Sequence, residues 1–148
     1  MISPELLEQG YKDCDALVLD YYARTEASHG PMPLRIDWDL YRKMEGTGHC
    51  CLFTAREETL DGFALYLVNK HIHHPTYNIA ACAILGVRPE MRGRGLGKQL
   101  IEFAMPWLKT RGCTHITHSF RTIYDNTKPL FPKLGFKLVE QVYMRELP

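Results

Sequence analysis

The sequence has no large excess of charge and no long apolar run. Its formal net charge is +1 over 148 residues, which argues against wholesale binding to nucleic acid or to an anionic membrane surface. No apolar run approaches the roughly 20 residues that a membrane-spanning helix requires. Residues 1–5 lack the basic start and apolar stretch of a secretory signal. We therefore expect a cytoplasmic protein with no membrane partner, and the charge gives no support for a nucleic-acid partner.

The sequence also lacks any pair of cysteines with the Cys-x-x-Cys spacing of metal or redox sites. Its cysteines are Cys14, Cys50, Cys51, Cys82 and Cys113. An odd number without a secretory signal indicates reduced thiols in a cytosol. We expect these residues to serve as small buried apolar side chains.

Without internal repeats or low-complexity stretches, the chain is predicted to form a single domain over residues 1–148. Helices are predicted over residues 4–27 (beginning at Ser3 and Pro4), 37–44, about 95–111 and 126–134. Strands are predicted over residues 49–56, 63–71, 78–87, 113–120 and 136–147.

The connections between these elements predict the arrangement of the sheet. Short turns join the early strands, which should therefore pair antiparallel. The strand over 78–87, the helix after it and the strand over 113–120 should form a crossover between parallel strands. We predict an α/β (α+β) fold with a mixed, mostly antiparallel central sheet flanked by helices.

The most informative stretch runs over residues 84–98, from a strand through a loop into a helix. Gly93, Gly95 and Gly97 alternate there, and glycine lets a backbone approach an anion closely. The N–H groups at the helix start bind phosphate. The stretch contains one acidic residue, Glu90, and four basic ones: Arg88, Arg92, Arg94 and Lys98. The pattern predicts a diphosphate site built from main-chain donors and reinforced by cations.

Two other nucleotide motifs fail on this stretch. A P-loop requires glycine where Arg92 stands and serine or threonine where Gln99 stands. A dinucleotide-binding fingerprint requires glycine where Lys98 stands, and the predicted order of elements lacks repeated βαβ units.

The loop at residues 92–97, preceded by Val87-Arg88-Pro89, resembles the coenzyme A loop of the GNAT superfamily of N-acetyltransferases. Its pattern there is Gln/Arg-x-x-Gly-x-Gly/Ala. Asn126 and residues 130–136 resemble a second family block, Asn-x-x-Ala-x-x-Leu-Tyr-x-Lys-x-Gly-Phe. The resemblance covers roughly residues 49–147, and the layout is also similar to small acetyltransferases carried by bacteriophages.

The resemblance implies a binding site for acetyl-coenzyme A beside a splayed pair of parallel strands. Main-chain N–H groups at 93–97 would hold the pyrophosphate, and the main chain of Leu85 and Val87 would pair with the pantetheine amides. Gly86 would occupy the family's β-bulge. For Arg88 and Arg94, plain solvated surface charge is an equal alternative. The predicted cofactor site comprises Leu85, Gly86, Val87, Arg88, Arg92, Gly93, Arg94, Gly95, Leu96, Gly97, Lys98 and Asn126.

The implied reaction is direct attack of a primary amine on the acetyl thioester, with the oxyanion stabilised by the Val87 N–H. The family's usual acid, a tyrosine, is replaced by Phe131, which leaves Tyr124 or water as the acid. No carboxylate lies between residues 77 and 87, so His118 is the predicted base. A core histidine with a satisfied hydrogen bond is an equal alternative for His118.

The acceptor is expected to be a small-molecule or protein amine, and the absent carboxylate also admits a weakly basic one. His73 and His74 are predicted to line its entrance. No cysteine or carboxylate lies near them in sequence, so no metal site is expected. A catalytically silent module that binds coenzyme A or a partner is the alternative function. The stretch 136–147 is short for two strands, so a sheet edge is expected to pair with a second subunit in a homodimer.

Overall fold

The chain folds into a five-stranded sheet with helices packed on both faces. A computed structural model describes residues 1–25, 34–120, 129–145 and 147–148. The strands are β1 (Ile2–Glu5), β2 (Cys50–Arg56), β3 (Leu60–His71), β4 (His74–Val87) and β5 (His115–His118). The helices are α1 (Leu7–Thr25), α2 (Trp38–Gly46), α3 (Leu96–Thr110) and α4 (Leu130–Lys133).

The strands lie in the order β1-β2-β3-β4-β5. The first four pair antiparallel, and β5 pairs with β4 in parallel. Helix α3 connects the two parallel strands. The predicted fold class, with its antiparallel start and one parallel crossover, is confirmed.

The central strands are buried on both faces, and their alternation separates two cores. On one face Phe63 and Leu65 of β3 pack in a cluster with residues of α1 and α2, including Leu7 and Trp38. On the other face, the neighbouring positions of β3 pack against α3, where Leu100 is fully buried. Cys14, Cys50 and Cys51 are buried among these apolar side chains, and burial raises the pKa of each thiol to about 12.

The predicted helix start at Ser3 and Pro4 is wrong, because residues 2–5 form β1. This strand pairs with β2 from Ile2↔Ala55 to Glu5↔Leu52. A proline is tolerated there because β1 lies at the edge of the sheet, where a missing N–H leaves no ladder bond unmade. Helix α1 therefore begins later, at Leu7.

Two carboxylates hold this altered N-terminal segment. The main-chain N–H of Leu7 donates to the Glu45 carboxylate at 3.0 Å, which satisfies one unpaired donor of the first helical turn. The Arg56 guanidinium donates through Nε to Glu5 at 2.8 Å. Both contacts join residues distant in sequence, and they favour the strand over the locally preferred helix.

The predicted strand over 136–147 is also wrong for the residues that the structure describes there. Residues 136–145 have no strand partner, and without a hydrogen-bonded ladder an extended segment is not a β-strand. The strand predicted over 113–120 is shorter than expected, since β5 covers only His115–His118. Of the helix predicted over 126–134, the described part is α4.

The remaining helix predictions are confirmed within two residues. Asp37 caps α2, its carboxylate accepting the N–H of Leu40 at 2.9 Å. Pro106 lies inside α3. No helix among the described residues has both the length and the apolar character needed to cross a membrane.

Candidate functional site

The glycine-rich loop between β4 and α3 has the conformation that the motif predicts. Gly93 and Gly95 have φ angles of +74° and +82°. A residue with a Cβ pays about 1–2 kcal/mol in this left-handed region. Gly95 occupies the N-cap position of α3 and offers no side chain to it, so the first N–H groups of the helix keep their capacity to bind an anion. These are the features that a diphosphate-binding loop requires.

Beside this loop, β4 parts from β5, and its register with β3 is interrupted at one residue. Its pairing with β5 ends at Cys82↔His118. Its register with β3 slips directly after Tyr66↔Cys82, which leaves Ala83 without an opposite residue. An extra residue of this kind bends a strand. The bulge therefore coincides with the point where the parallel strands separate.

The predicted position of the bulge, Gly86, is wrong by three residues. Gly86 lies in regular register opposite Phe63. A Cβ on Gly86 would lie 2.8 Å from Cε1 of the buried Phe63 ring. Glycine is needed there for space, and the bend of the strand comes from Ala83.

The main chain of Leu85 and Val87 faces the side that β5 has vacated. The N–H of Arg88 donates to the carbonyl of Asp61 on β3 at 2.8 Å. Because main-chain groups alternate sides along an antiparallel strand, those of Leu85 and Val87 point away from β3. Among the described residues these groups have no strand partner, so they form an open strand edge beside the loop, as the predicted pairing with an amide-bearing chain requires.

Arg92 already uses part of this edge. Its Nε donates to the Val87 carbonyl at 3.0 Å, and its guanidinium lies 5.9 Å from the centre of the Tyr21 ring. Arg92, one of the predicted cations, therefore lies at the entrance of the gap between β4 and the end of β5, which we call the slot. It connects that slot to α1.

The other three cations of the loop differ in their surroundings. Arg88 is paired with the buried Asp61 and donates to the Thr59 hydroxyl at 2.8 Å. Lys98 lies 3.5 Å from Glu102 on the exposed face of α3. Arg94 is exposed and makes no ion pair with a described residue. Among the predicted cations, Arg88 therefore binds groups on the β3 side of β4.

His118 stands at the point where β4 and β5 separate, inside a ring of aromatic side chains. Its Nε2 lies 2.9 Å from the hydroxyl of the buried Tyr66. The rings of Phe131 and Phe136 lie 5.5 and 5.4 Å from the imidazole. Burial lowers the pKa of His118 to about 4, so the ring is neutral at pH 7.

Burial also raises the pKa of Tyr66 above its usual range. Tyr66 therefore stays protonated, and its hydroxyl shares one hydrogen bond with Nε2 whose direction is set by the tautomer of His118. The geometry contains the satisfied hydrogen bond of a core histidine. Sequence reasoning missed Tyr66, because its link to His118 spans 52 positions.

His73 and His74 lie at the opposite end of β4 from the slot. His74 is the first residue of β4, eleven positions before Leu85, which corresponds to roughly 35 Å along a strand. The imidazoles of His71 and His74 lie 4.8 Å apart, and His74 continues toward Tyr77 at 5.6 Å. The structure does not bring this exposed stack together with the slot.

Two predicted residues, Tyr124 and Asn126, lie outside the described residues. Leu96, another predicted member, packs its side chain against the α3 core, which leaves its main chain for a ligand. No group of three or more potential metal ligands occurs among the described residues.

The sequence matches the acetyltransferase (GNAT) family over residues 13–136. No curated protein sequence matches the chain significantly. Among solved structures, an aminoglycoside acetyltransferase from an uncultured soil metagenomic sample, in complex with sisomicin, is 17% identical with a TM-score of 0.75, covering 100% of this chain and 95% of that one. An aminoglycoside N-acetyltransferase in complex with CoA is 17% identical with a TM-score of 0.74, covering 100% and 99%.

A ribosomal-protein-alanine N-acetyltransferase from Brucella melitensis biovar Abortus 2308 is 16% identical, with a TM-score of 0.71 and coverage of 99% of each chain. At such identities these likenesses show the fold, whereas the family match extends over most of the chain. The loop, the bulge and the unpaired edge of β4 lie within the matched residues. The chain belongs to the GNAT acetyltransferase family, whose members use acetyl-CoA.

Proposed function

We propose that the protein is an N-acetyltransferase that transfers the acetyl group of acetyl-CoA to a primary amine by direct attack in a ternary complex. One observation carries this proposal: the main-chain edge of Leu85 and Val87, which has no strand partner among the described residues, runs into a loop with glycines at positive φ. The edge suits an amide-bearing chain, and the loop suits the diphosphate at the end of such a chain. We place the enzyme in the cytoplasm.

In this proposal the N–H groups over residues 93–97 hold the diphosphate, with Arg92, Arg94 and Lys98 supplying charge. Arg88 acts from the other side of β4, where its pairing with Asp61 fixes the strand that leads into the loop. Asn126 contacts the pantetheine arm. Acetyl-CoA supplies an activated thioester, and the chain supplies its position and the stabilisation of charge.

The oxyanion is assigned to a main-chain N–H on the unpaired edge. Val87 is the predicted donor, and Leu85 presents its N–H to the same side two positions deeper, nearer the bulge. Both groups are fixed by the register with β3. A fixed donor costs no reorganisation when negative charge develops.

The low pKa of His118 limits which acceptor amines it can deprotonate. Moving a proton from an alkylamine of pKa about 10.4 to a group of pKa about 4 costs roughly 9 kcal/mol. Releasing the same proton to solvent at pH 7.4 costs about 4 kcal/mol. His118 therefore suits, as a base, an amine of low basicity or one that arrives already neutral. Tyr124 or water protonates the leaving thiolate. If no acid acts, departure of coenzyme A as the thiolate costs only about 1.5 kcal/mol at pH 7.4.

The test is release of free thiol from acetyl-CoA in the presence of amine panels. The related folds include enzymes named for aminoglycosides and for a ribosomal protein, so the panels contain aminoglycosides, peptide amines and aromatic amines. Acceptor-dependent thiol release with a matching acetylated product supports the proposal. Its absence across all panels, with intact CoA binding, refutes it.

Substitution of His118 by glutamine isolates the proton-transfer role. Glutamine preserves an acceptor for the Tyr66 hydroxyl but takes no proton at neutral pH. Loss of turnover with unchanged affinity for CoA supports His118 as the base. Equal turnover in the variant removes His118 from proton transfer.

A catalytically silent module that binds CoA or a partner is the second candidate. It is favoured by Phe131, which stands where the family usually has the tyrosine that serves as the acid, and by the lowered pKa of His118. Calorimetry that detects CoA binding, together with no thiol release from any acceptor, would support it.

A further inference from the structure

The slot ends in a cluster of aromatic side chains at the point where β4 and β5 separate. The rings of Phe131 and Phe136 lie 5.5 and 5.4 Å from the imidazole of His118. Phe131 also stacks on Phe120, with ring centres 5.3 Å apart and ring planes inclined by 4°. Phe120 is 38% exposed, so this stack ends on a ring that a further aromatic ring can contact. We call His118, Phe120, Phe131 and Phe136 the aromatic cluster.

The described titratable groups that face His118 carry no charge at neutral pH. Burial raises the pKa of Cys82, which lies opposite His118 in the β4–β5 register, to about 12. Burial also raises the pKa of Tyr66, so both groups stay neutral. Burial lowers the pKa of His118 itself to about 4, with no described carboxylate to oppose it. A cation at this position is therefore unfavourable, because water is removed and no negative group replaces it.

These two properties together favour one class of acceptor. Aromatic faces bind a flat ring, and the absence of a described negative charge near His118 favours a nitrogen that is neutral when it binds. At pH 7.4 only about one alkylamine molecule in 1,000 is neutral, given a pKa of about 10.4. An arylamine is neutral at this pH, because its nitrogen lone pair is delocalised into the ring. We propose, on the basis of the proposed function, that the acceptor is an arylamine whose ring packs on the aromatic cluster and whose amino group points towards Leu85 and Val87.

The spacing along β4 and the balance of the reaction fit a single-ring amine. Cys82, opposite His118, lies three positions before Leu85, which is roughly 10 Å along a strand. The nitrogen lone pair forms a bond to the thioester carbon, and the carbon–sulfur bond breaks with its electron pair on sulfur. The nitrogen loses one proton, which the thiolate takes up through His118, Tyr124 or water, so the products are an N-aryl acetamide and coenzyme A. Because an arylamine starts neutral, no base has to remove a proton before the attack.

The first test compares aniline with benzylamine as acceptors, by release of thiol from acetyl-CoA. Both carry the same ring, but benzylamine is an alkylamine and is protonated at neutral pH. We expect kcat/KM at pH 7.4 to be at least roughly 10-fold higher for aniline, and to be independent of pH between about 6 and 8. With benzylamine, kcat/KM should rise about tenfold per pH unit over that range, since the chain supplies no base for it. A preference for benzylamine overturns the proposal.

Binding to the complex of the protein with coenzyme A, measured by calorimetry, requires no turnover. Aniline should bind, and cyclohexylamine should bind at least roughly 10-fold more weakly, because it has neither an aromatic face nor a neutral nitrogen. Equal or tighter binding of cyclohexylamine overturns the proposal. Aniline binding without thiol release from any acceptor overturns the proposed function and supports the arylamine site. Thiol release with alkylamines but not with aniline supports the acetyltransferase and overturns the arylamine.

Phe120→Leu tests the aromatic cluster, with Tyr77→Leu as its matched control. Phe120→Leu removes the open aromatic face and keeps an apolar side chain, so the affinity for aniline should fall roughly 2- to 10-fold. Tyr77 is 43% exposed, and its ring contacts those of His74 and His115 near the start of β5. Tyr77→Leu should therefore bind aniline as the wild type does. Equal affinities in all three proteins would overturn the proposal, and if Phe120→Leu fails to fold, the two comparisons on the wild type decide.

Discussion

Alanine at Gly95 should destabilise the protein and weaken coenzyme A binding, whereas alanine at Gly97 should do neither. The two glycines lie two positions apart in the same loop and helix start. Gly95 has a φ of +82°, and Gly97 is not among the residues with positive φ. The pair therefore separates the effect of a conformation from the effect of an added methyl group.

The magnitudes follow from what each new Cβ would meet. At Gly95 nothing lies within 4 Å, so the cost is conformational alone, about 1–2 kcal/mol for a left-handed residue. At Gly97 the Cβ would lie 3.9 Å from the side chains of Leu85 and Val87, an ordinary contact. Gly97 also lies inside α3, where alanine gains up to about 1 kcal/mol over glycine. The unfolding free energies should differ by about 1–3 kcal/mol.

Urea denaturation measures the stabilities, and calorimetry with coenzyme A measures the affinities. If the Gly95→Ala loop relaxes to negative φ, its N–H groups turn away from the diphosphate and the affinity falls roughly 5- to 30-fold, the equivalent of 1–2 kcal/mol. The affinity of Gly97→Ala should stay near that of the wild type. Equal stabilities and equal affinities in the two variants would refute the assignment of the loop conformation to Gly95 and of the diphosphate to this loop.

Three further changes test the strand and the slot. Gly86→Ala would bring a methyl group against the Phe63 ring, at 2.8 Å before relaxation, and thermal denaturation should show a loss of about 1–3 kcal/mol. Asp61→Asn removes the charge that pairs Arg88, and urea denaturation should show a loss of about 1 kcal/mol, since the arginine is partly exposed. Because burial lowers the pKa of His118 to about 4, protonation favours the unfolded chain. The contribution of neutral His118 to the free energy of unfolding is complete above about pH 6.5. It is lost as the pH falls toward 4, by about 3 kcal/mol in all. The free energy of unfolding of His118→Gln, measured against pH, should lack this loss.

Matched controls accompany the first two of these changes. Gly46→Ala adds a methyl group at the end of α2, where nothing lies within 4 Å and φ is not positive, so its stability should be unchanged or slightly raised. Glu90→Gln removes an exposed carboxylate that lies 3.7 Å from Arg88 and should change the stability far less than Asp61→Asn. If a control variant loses as much unfolding free energy as the variant it is matched with, the physical reason given for that variant is wrong.

The parts of the fold that the sequence predicted are those that neighbouring residues determine. The apolar run over 78–87 and the helix after it indicate a parallel crossover, because residues within one segment set the burial and the period. The N-terminal segment shows the opposite case. Ser3 and Pro4 favour a helix start locally, yet pairing with β2 and the contacts of Glu5 prevail. No local pattern reports a partner 49 or more positions away.

The bulge shows why a motif residue can be identified correctly and explained wrongly. The glycine pattern over 86–97 singles out Gly86 and Gly95 alike, yet the two are glycines for different reasons. Gly95 supplies a positive φ, and Gly86 leaves space for Phe63. The bend itself falls at Ala83, because a bulge is a property of the register between two strands. One strand read alone does not contain that register.

The same distinction explains why the cofactor could be predicted and the acceptor could not. The glycine-rich loop and the open edge of β4 are formed by main-chain groups within one contiguous stretch, residues 85–98, so the pattern of glycines and charges in that stretch is enough to indicate them. Proton transfer depends instead on the surroundings of His118, which come from Tyr66 on β3 and from aromatic rings near α4. A sequence contains the histidine but not the burial that lowers its pKa, and that burial decides which amines it can serve as a base.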